Sequence, residues 1–110
     1  MASQTTKGVL VITPDINHLD TLSAKSFSDE YAPLAAGASI IILDLSKVHF
    51  VDSTGLGSIL TLVRDTLARG ARITLCGAQP SVKVLFRMVQ LGKLVSILDT
   101  LDLAQSWAAS

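Results

Sequence analysis

Asp52-Ser53-Thr54-Gly55-Leu56-Gly57 joins the end of an apolar run to the start of an amphipathic segment, and its reading decides the fold. Upstream, Ile40-Ile41-Ile42-Leu43-Asp44-Leu45 is short and almost continuously apolar, the pattern of a buried strand. Downstream, Leu56, Ile59, Leu60, Val63 and Leu67 recur at helical spacing. The motif is therefore a strand-to-helix turn. Ser53 or Thr54 is the expected N-cap, with Asp52 placing negative charge where the free N–H groups of a helix favour it. A hydroxyl at such a junction is a candidate switch.

The chain has 110 residues, 49% of them hydrophobic, which suits one domain over 1–110 with a core of its own. Nine basic and nine acidic residues cancel, so no electrostatic footprint for nucleic acid or an anionic membrane is expected. The opening Met1-Ala2-Ser3-Gln4-Thr5-Thr6-Lys7 lacks the apolar core of a signal peptide, and no later run approaches bilayer-spanning length. A cytoplasmic location without membrane insertion is the expectation. Cys76, the single cysteine, sits in the apolar run Ile73-Thr74-Leu75-Cys76 and reads as a buried structural thiol.

Strand and helix signals alternate along the chain. Gly8 to Thr13 reads as a strand ended by Pro14, with room for only a short edge strand before it. A helix capped by Asp20 or Thr21 follows, with Ala24, Phe27, Tyr31 and Leu34 on one face and Pro33 ending or kinking it near Ala32. After the strand at 39–45 come a connector through Lys47-Val48-His49-Phe50-Val51, a helix from 54 to about 69, and Gly70 at its stop. Arg72 to Cys76 is the next strand. A helix over 81–91 carries Val82, Leu85, Phe86 and Val89 as its core stripe and ends at Gly92. It also places Val84, Met88 and Leu91 on a second apolar stripe, which either the last helix with Trp107 covers or a partner docks upon. A short apolar piece, Leu94 to Leu98, precedes that last helix. The order predicts an α/β domain with helices on a largely parallel sheet.

Enzyme chemistry finds little support in these residues. Leu60 stands where a dinucleotide fingerprint needs glycine, and no Gly-Lys-Ser/Thr makes a phosphate loop. His18 and His49, read as a loop and a connector residue, bring no ligand cluster for a metal and no base within assured reach of Ser53. A receiver-domain role for Asp44 lacks the acidic pair and the lysine that such chemistry needs. No cofactor is implied.

The run Ile41-Ile42-Leu43-Asp44-Leu45, then Val51-Asp52-Ser53-Thr54-Gly55-Leu56-Gly57, then Leu75-Cys76-Gly77-Ala78-Gln79-Pro80-Ser81-Val82 and Leu85-Phe86, resembles the STAS domain family of anti-sigma factor antagonists. The resemblance covers most of the chain, and its most specific part is the Asp-Ser-x-Gly-Leu-Gly signature. It implies a single STAS-like domain, with a mixed, mostly parallel sheet of four or five strands and helices mainly on one face. It also implies that Ser53 is phosphorylated by a partner that is both anti-sigma factor and serine kinase, with a metal-dependent serine/threonine phosphatase resetting it. One departure stands out. Where many members carry Gly-x-Ile/Leu-Asp after the first long strand, this chain is expected to offer Pro14-Asp15-Ile16-Asn17, which would put a neutral amide beside Ser53.

A phosphoserine carries about −1.5 to −2 charges and three acceptor oxygens, which a helix N-terminus accommodates without unfolding. Beside Asp52 and Asp15 the same dianion would repel acidic groups on a partner, so binding in the unmodified state and release in the modified state is the expected sense. Gly55 and Gly57 would let a partner's backbone approach closely. The partner surface is expected to include Asp15, Asn17, Asp52, Ser53, Thr54, Gly55, Leu56 and Gly57 and to run along Ser58 and Thr61, with Asp65 on the same side. The competing expectation is a STAS scaffold or accessory subunit of a lipid-transport or stress-signalling complex, in which Ser53 only caps a helix.

Overall fold

A computed structural model describes residues 3–6 and 8–110; Met1, Ala2 and Lys7 of the opening segment lie outside the described residues. Ser3–Thr6 forms β1, antiparallel to β2 at Val9–Ile12, with Gly8 at φ +81° between them. Beyond this hairpin the sheet is parallel: β4 (Ile40–Asp44) pairs with β2, β6 (Arg72–Cys76) with β4, and a short β7 (Ile97–Leu98) with β6. The spatial order is β1-β2-β4-β6-β7. The helices are α1 (Ala24–Ala36), α2 (Ser53–Ala68), α3 (Pro80–Met88) and α4 (Leu101–Ala109). The fold is thus a single α/β domain with a mostly parallel five-stranded sheet.

Side chains alternate across a strand, so the continuous apolar run of β4 needs cover on both faces. Ile41 and Leu43 enter the main core with Phe27 and Tyr31 of α1, Ile59 and Val63 of α2 and Phe86 of α3. Ile42 points the other way and meets Cys76, Ala104 and Ala108, the last two from α4. Three helices therefore cover one face and α4 the other. Trp107 partly covers this second cluster and stacks beneath the Arg72 guanidinium, 4.4 Å away, whose Nη2 also donates to the Trp107 carbonyl.

Three local expectations require correction. Proline does not end α1. Pro33 sits on the exposed side of the helix, where the carbonyl it leaves without a donor can meet water, and the helix continues to Ala36. The buried face is Ala24, Phe27, Tyr31 and Ala35, while Leu34 is exposed. The second correction concerns α3, which stops at Met88. Gln90 adopts the left-handed conformation at φ 57°, and the 3-10 turn Leu91–Lys93 swings Leu91 into the core. The expected Val84-Met88-Leu91 stripe is thereby broken: Leu91 is buried, whereas Val84 and Met88 are exposed, and α4 lies across the sheet from them. Val89, assigned to the core stripe, is exposed at the helix end.

The third correction matters for the site. His18–Leu19 forms β3 and Phe50–Val51 forms β5, and the two pair in parallel as a separate two-stranded ribbon. His18 and Phe50 stand partly edge-on, with ring centroids 5.6 Å apart. Strands of two residues carry too little alternation to be seen as strands in sequence. The C-terminal end of α2 follows expectation. Gly70 at φ +81° lets Gly70 N–H donate to the Leu67 carbonyl and Ala71 N–H to the Thr66 carbonyl, the paired bonds of a Schellman stop.

Candidate functional site at the start of α2

The ribbon carries the chain from Val51 directly into the turn. Asp52 continues β5, donating its N–H to the Leu19 carbonyl at 3.3 Å, and its own backbone is extended at φ −95°, ψ −176°. That conformation makes Asp52 the N-cap of α2, so the expected cap at Ser53 or Thr54 moves one residue earlier. Asp52 Oδ1 accepts from Gly55 N–H at 2.8 Å. Asp52 Oδ2 accepts from Thr21 N–H at 3.0 Å and from the Thr21 hydroxyl at 3.1 Å, and that hydroxyl also lies 3.3 Å from Thr54 Oγ1. The Gly55 N–H bond, the largest effect, outweighs the opposing effect of burial and, with the weaker bonds from Thr21, holds the Asp52 carboxyl below the usual carboxylate range.

The residue that ties this turn to the rest of the domain is Thr21, which sequence reasoning considered only as a cap for α1. Asp20 and Ser23 shape its loop. Asp20 Oδ1 accepts from Leu22 N–H at 3.1 Å and Ser23 N–H at 3.2 Å, and the Ser23 hydroxyl donates to the His18 carbonyl at 2.8 Å. Asp20 therefore organises the turn before α1, and the helix begins at Ala24 behind an N-cap Ser23 that makes no side-chain capping bond. Leu22, next to Thr21, is 91% exposed.

These contacts relocate the expected loop. The Asn17 carbonyl accepts from His49 N–H at 2.7 Å and Phe50 N–H at 3.1 Å, at the far end of the ribbon from Ser53. At roughly 3.3 Å per strand residue, Asn17 lies about 10 Å back along the chain direction. Asp15, two residues earlier in the chain, pairs with Lys47 at 3.8 Å. The segment that lies beside the turn is Leu19-Asp20-Thr21. Asp20, not Asn17, is thus the residue of this loop that brings a side chain close to the turn's neighbour Thr21.

Gly55 is buried against the ribbon: a Cβ there would overlap the Leu19 carbonyl oxygen. The close backbone approach that Gly55 permits is thus made inside the domain and not by a partner, a correction to its expected role. Gly57 has open space around its Cα. Ser53, at the first position of α2, and Thr54 are both exposed. Leu56 and Leu60 are partly buried against the core, Ser58 is half-buried with its hydroxyl donating to the Thr54 carbonyl at 3.3 Å, and Thr61 and Asp65 are exposed. Of the expected surface, Asp52, Ser53 and Thr54 therefore come together at one turn, Gly57, Ser58 and Thr61 follow along α2, and Asp15 and Asn17 stand apart.

Among the described residues no helix is long and apolar enough to cross a membrane, and no cluster of histidine, cysteine and carboxylate side chains is arranged to hold a metal. Cys76 is buried on the opposite side of the sheet, where burial and then the Asp44 charge push its thiol up to about 12.

The same fold recurs in solved structures. An anti-sigma factor antagonist from Mycobacterium paratuberculosis superposes with a TM-score of 0.88 at 20% identity, over 98% of this chain and 92% of that one. The phosphorylated form of SpoIIAA, a Bacillus cell fate determinant, gives 0.74 at 22% identity, over 97% and 99%. A sulfate transporter family protein from Wolinella succinogenes gives 0.81 at 16% identity, over 96% and 88%. Likenesses at these identities establish the architecture. The STAS domain description matches residues 1–104, nearly the whole length, and the chain belongs to the STAS domain family.

Proposed function

We propose that this domain is an anti-sigma factor antagonist: it binds an anti-sigma factor with serine kinase activity and is switched off by phosphate on Ser53. The observation that carries the reading is the placement of Ser53. It is exposed at the first position of a sixteen-residue helix whose preceding residue is already fixed by three hydrogen bonds. A kinase can reach a hydroxyl there without opening the core. The first-turn N–H groups and helix dipole soften the cost of a dianion of about −1.5 to −2 charges, so the modification changes the surface more than the fold.

Asp52 and the Asp20 carboxylate across the ribbon give the turn an acidic cast before modification. A partner that docks on it must offer donors or cations of limited number, and a dianion added in their midst alters both charge and shape. The kinase partner supplies the nucleotide chemistry, the domain itself acts by binding, and a metal-dependent serine/threonine phosphatase restores the binding form. The fold of the Wolinella transporter protein favours a second reading, in which the domain is a fixed accessory module and Ser53 is an ordinary first-turn residue.

The two readings separate in one assay. Proteins retained by the immobilised chain are incubated with it and ATP, and the product is analysed by intact mass and peptide mapping. The antagonist reading expects a single added phosphate on Ser53, and none on the Ser53→Ala variant. Phosphate on Thr54 would reassign the acceptor, and retention of a transport complex with no added mass would favour the accessory module.

A further inference from the structure

The loop before α1 holds an apolar side chain out into water. Leu22 is 91% exposed, more than any other large apolar side chain among the described residues. The bonding of its neighbours keeps it there. Leu22 N–H and Ser23 N–H both donate to Asp20 Oδ1, and the Ser23 hydroxyl donates to the His18 carbonyl. On the other side, the Thr21 N–H and hydroxyl both donate to Asp52 Oδ2. A single apolar residue on a surface is ordinary, and a slack loop lets it fold back onto nearby apolar surface. Leu22 has no such slack, because the residues on either side of it are tied down.

The same bonds make the loop and the Ser53 turn one surface. The Thr21 hydroxyl lies 3.3 Å from Thr54 Oγ1, and Leu22 is the next residue along the chain. A stable partner covers about 800 Å² of its target, a disc about 30 Å across, so one centred on Ser53 reaches Leu22 as well. The loop is ordered before the partner arrives, so little conformational freedom is lost when the leucine is covered. Asp20 and Asp52 flank it with carboxylates, which gives the surface an apolar centre and an acidic rim.

We infer that Leu22 is the apolar anchor of the kinase interface: it enters a hydrophobic pocket beside the cleft that receives Ser53, with cationic side chains of the kinase facing Asp20 and Asp52. This rests on the reading of the domain as the substrate and ligand of an anti-sigma kinase. The anchor supplies affinity and takes no part in phosphoryl transfer, since it does not touch the Ser53 hydroxyl. A second copy of this chain fits the surface less well, because a two-fold contact through Leu22 would bring the Asp20 and Asp52 carboxylates of both copies together.

The test takes the kinase purified from the proteins that phosphorylate Ser53 in the assay above and titrates it, without ATP, into the parent, Leu22→Ser, Leu22→Met and Leu103→Ser chains. Leu22→Ser should bind about 10- to 100-fold more weakly, the worth of burying one leucine side chain, and Leu22→Met should stay within about 3-fold of the parent. Leu103, 51% exposed on α4 across the sheet, is the control, and Leu103→Ser should bind as the parent does. With ATP added, Leu22→Ser should raise KM for phosphorylation of Ser53 and leave kcat unchanged. Melting temperatures should stay level throughout. Parent-like affinity in Leu22→Ser, or an equal loss in Leu103→Ser, overturns the inference while the Ser53 reading stands. Self-association of the parent that Leu22→Ser abolishes, with kinase binding intact, overturns it in favour of a second copy. Failure of the reading beneath it shows earlier and separately, as a parent chain on which no retained protein places phosphate at Ser53.

Discussion

Gly55 and Gly57 lie two residues apart in α2 and meet opposite surroundings, which makes them a paired test of the turn. A methyl at position 55 must displace the Leu19 carbonyl, and forcing backbone apart in this way costs about 1 to 3 kcal/mol. A methyl at position 57 meets open space and removes the entropic penalty of glycine in a helix, worth about 0.5 to 1 kcal/mol. Chemical denaturation should therefore show Gly55→Ala less stable than the parent and Gly57→Ala more stable; equal midpoints would mean that β3 does not press on α2. Asp52 makes a second residue-scale prediction. Its carboxyl titrates lower in the folded than in the unfolded chain, so its stabilisation is present above the unfolded value of 3.8 and disappears as pH falls through the folded value. Asp52→Asn should flatten the acid limb of a melting-temperature profile below about pH 4, and an unchanged limb would contradict this. The Asp-Ser-x-Gly-Leu-Gly turn was legible because every contact that defines it locally lies within four residues. Thr21 was not, since its role exists only through a bond to a residue thirty-one positions away.

At the scale of elements, long periodic segments spoke for themselves and short ones did not. The strands β2, β4 and β6 and the helix α2 follow from continuous or periodic apolar residues, whereas β3 and β5 are two residues each and take their identity from one another. The end of α3 shows the other failure. Apolar spacing continues through Leu91, but the left-handed Gln90 breaks the helix because burying Leu91 outweighs extending a helix on the surface. Leu91→Ala should consequently cost about 2 to 5 kcal/mol of stability, as for a core leucine. Met88→Ala, at 74% exposure, should stay within about 0.5 kcal/mol of the parent. A continuous helix to residue 91 would place both on one outward stripe and make both costs small, and the two denaturation midpoints decide between these outcomes.

For the whole molecule, the sheet has two differently covered faces: α1 to α3 pack on the one that ends in the Ser53 turn, and α4 seals the other. Cys76 reports on that seal. Buried against Ala104 and Ala108 and with its thiol pushed up to about 12, it should resist a thiol reagent at pH 8 until α4 lifts or the domain unfolds. Trp107→Ala, which removes the stack beneath Arg72, should speed that labelling, whereas Leu22→Ala, remote and exposed, should not. Because the folded thiol is the harder one to ionise, stability is fully present below its ordinary 9.0 and declines as pH rises beyond it toward the folded value. Fold class and the order of elements were legible in the alternation of patterns, but the packing of α4 behind the sheet was not, since an amphipathic helix does not say which face it will cover. The central claim concerns association, and calorimetry of the proposed anti-sigma kinase partner against the parent, Ser53→Ala and Ser53→Asp forms tests it most directly. The account predicts that Ser53→Ala binds as the parent does and that Ser53→Asp binds at least about tenfold more weakly, a difference of 1.4 kcal/mol, with melting temperatures nearly equal. Equal affinity of all three forms for the kinase would contradict it.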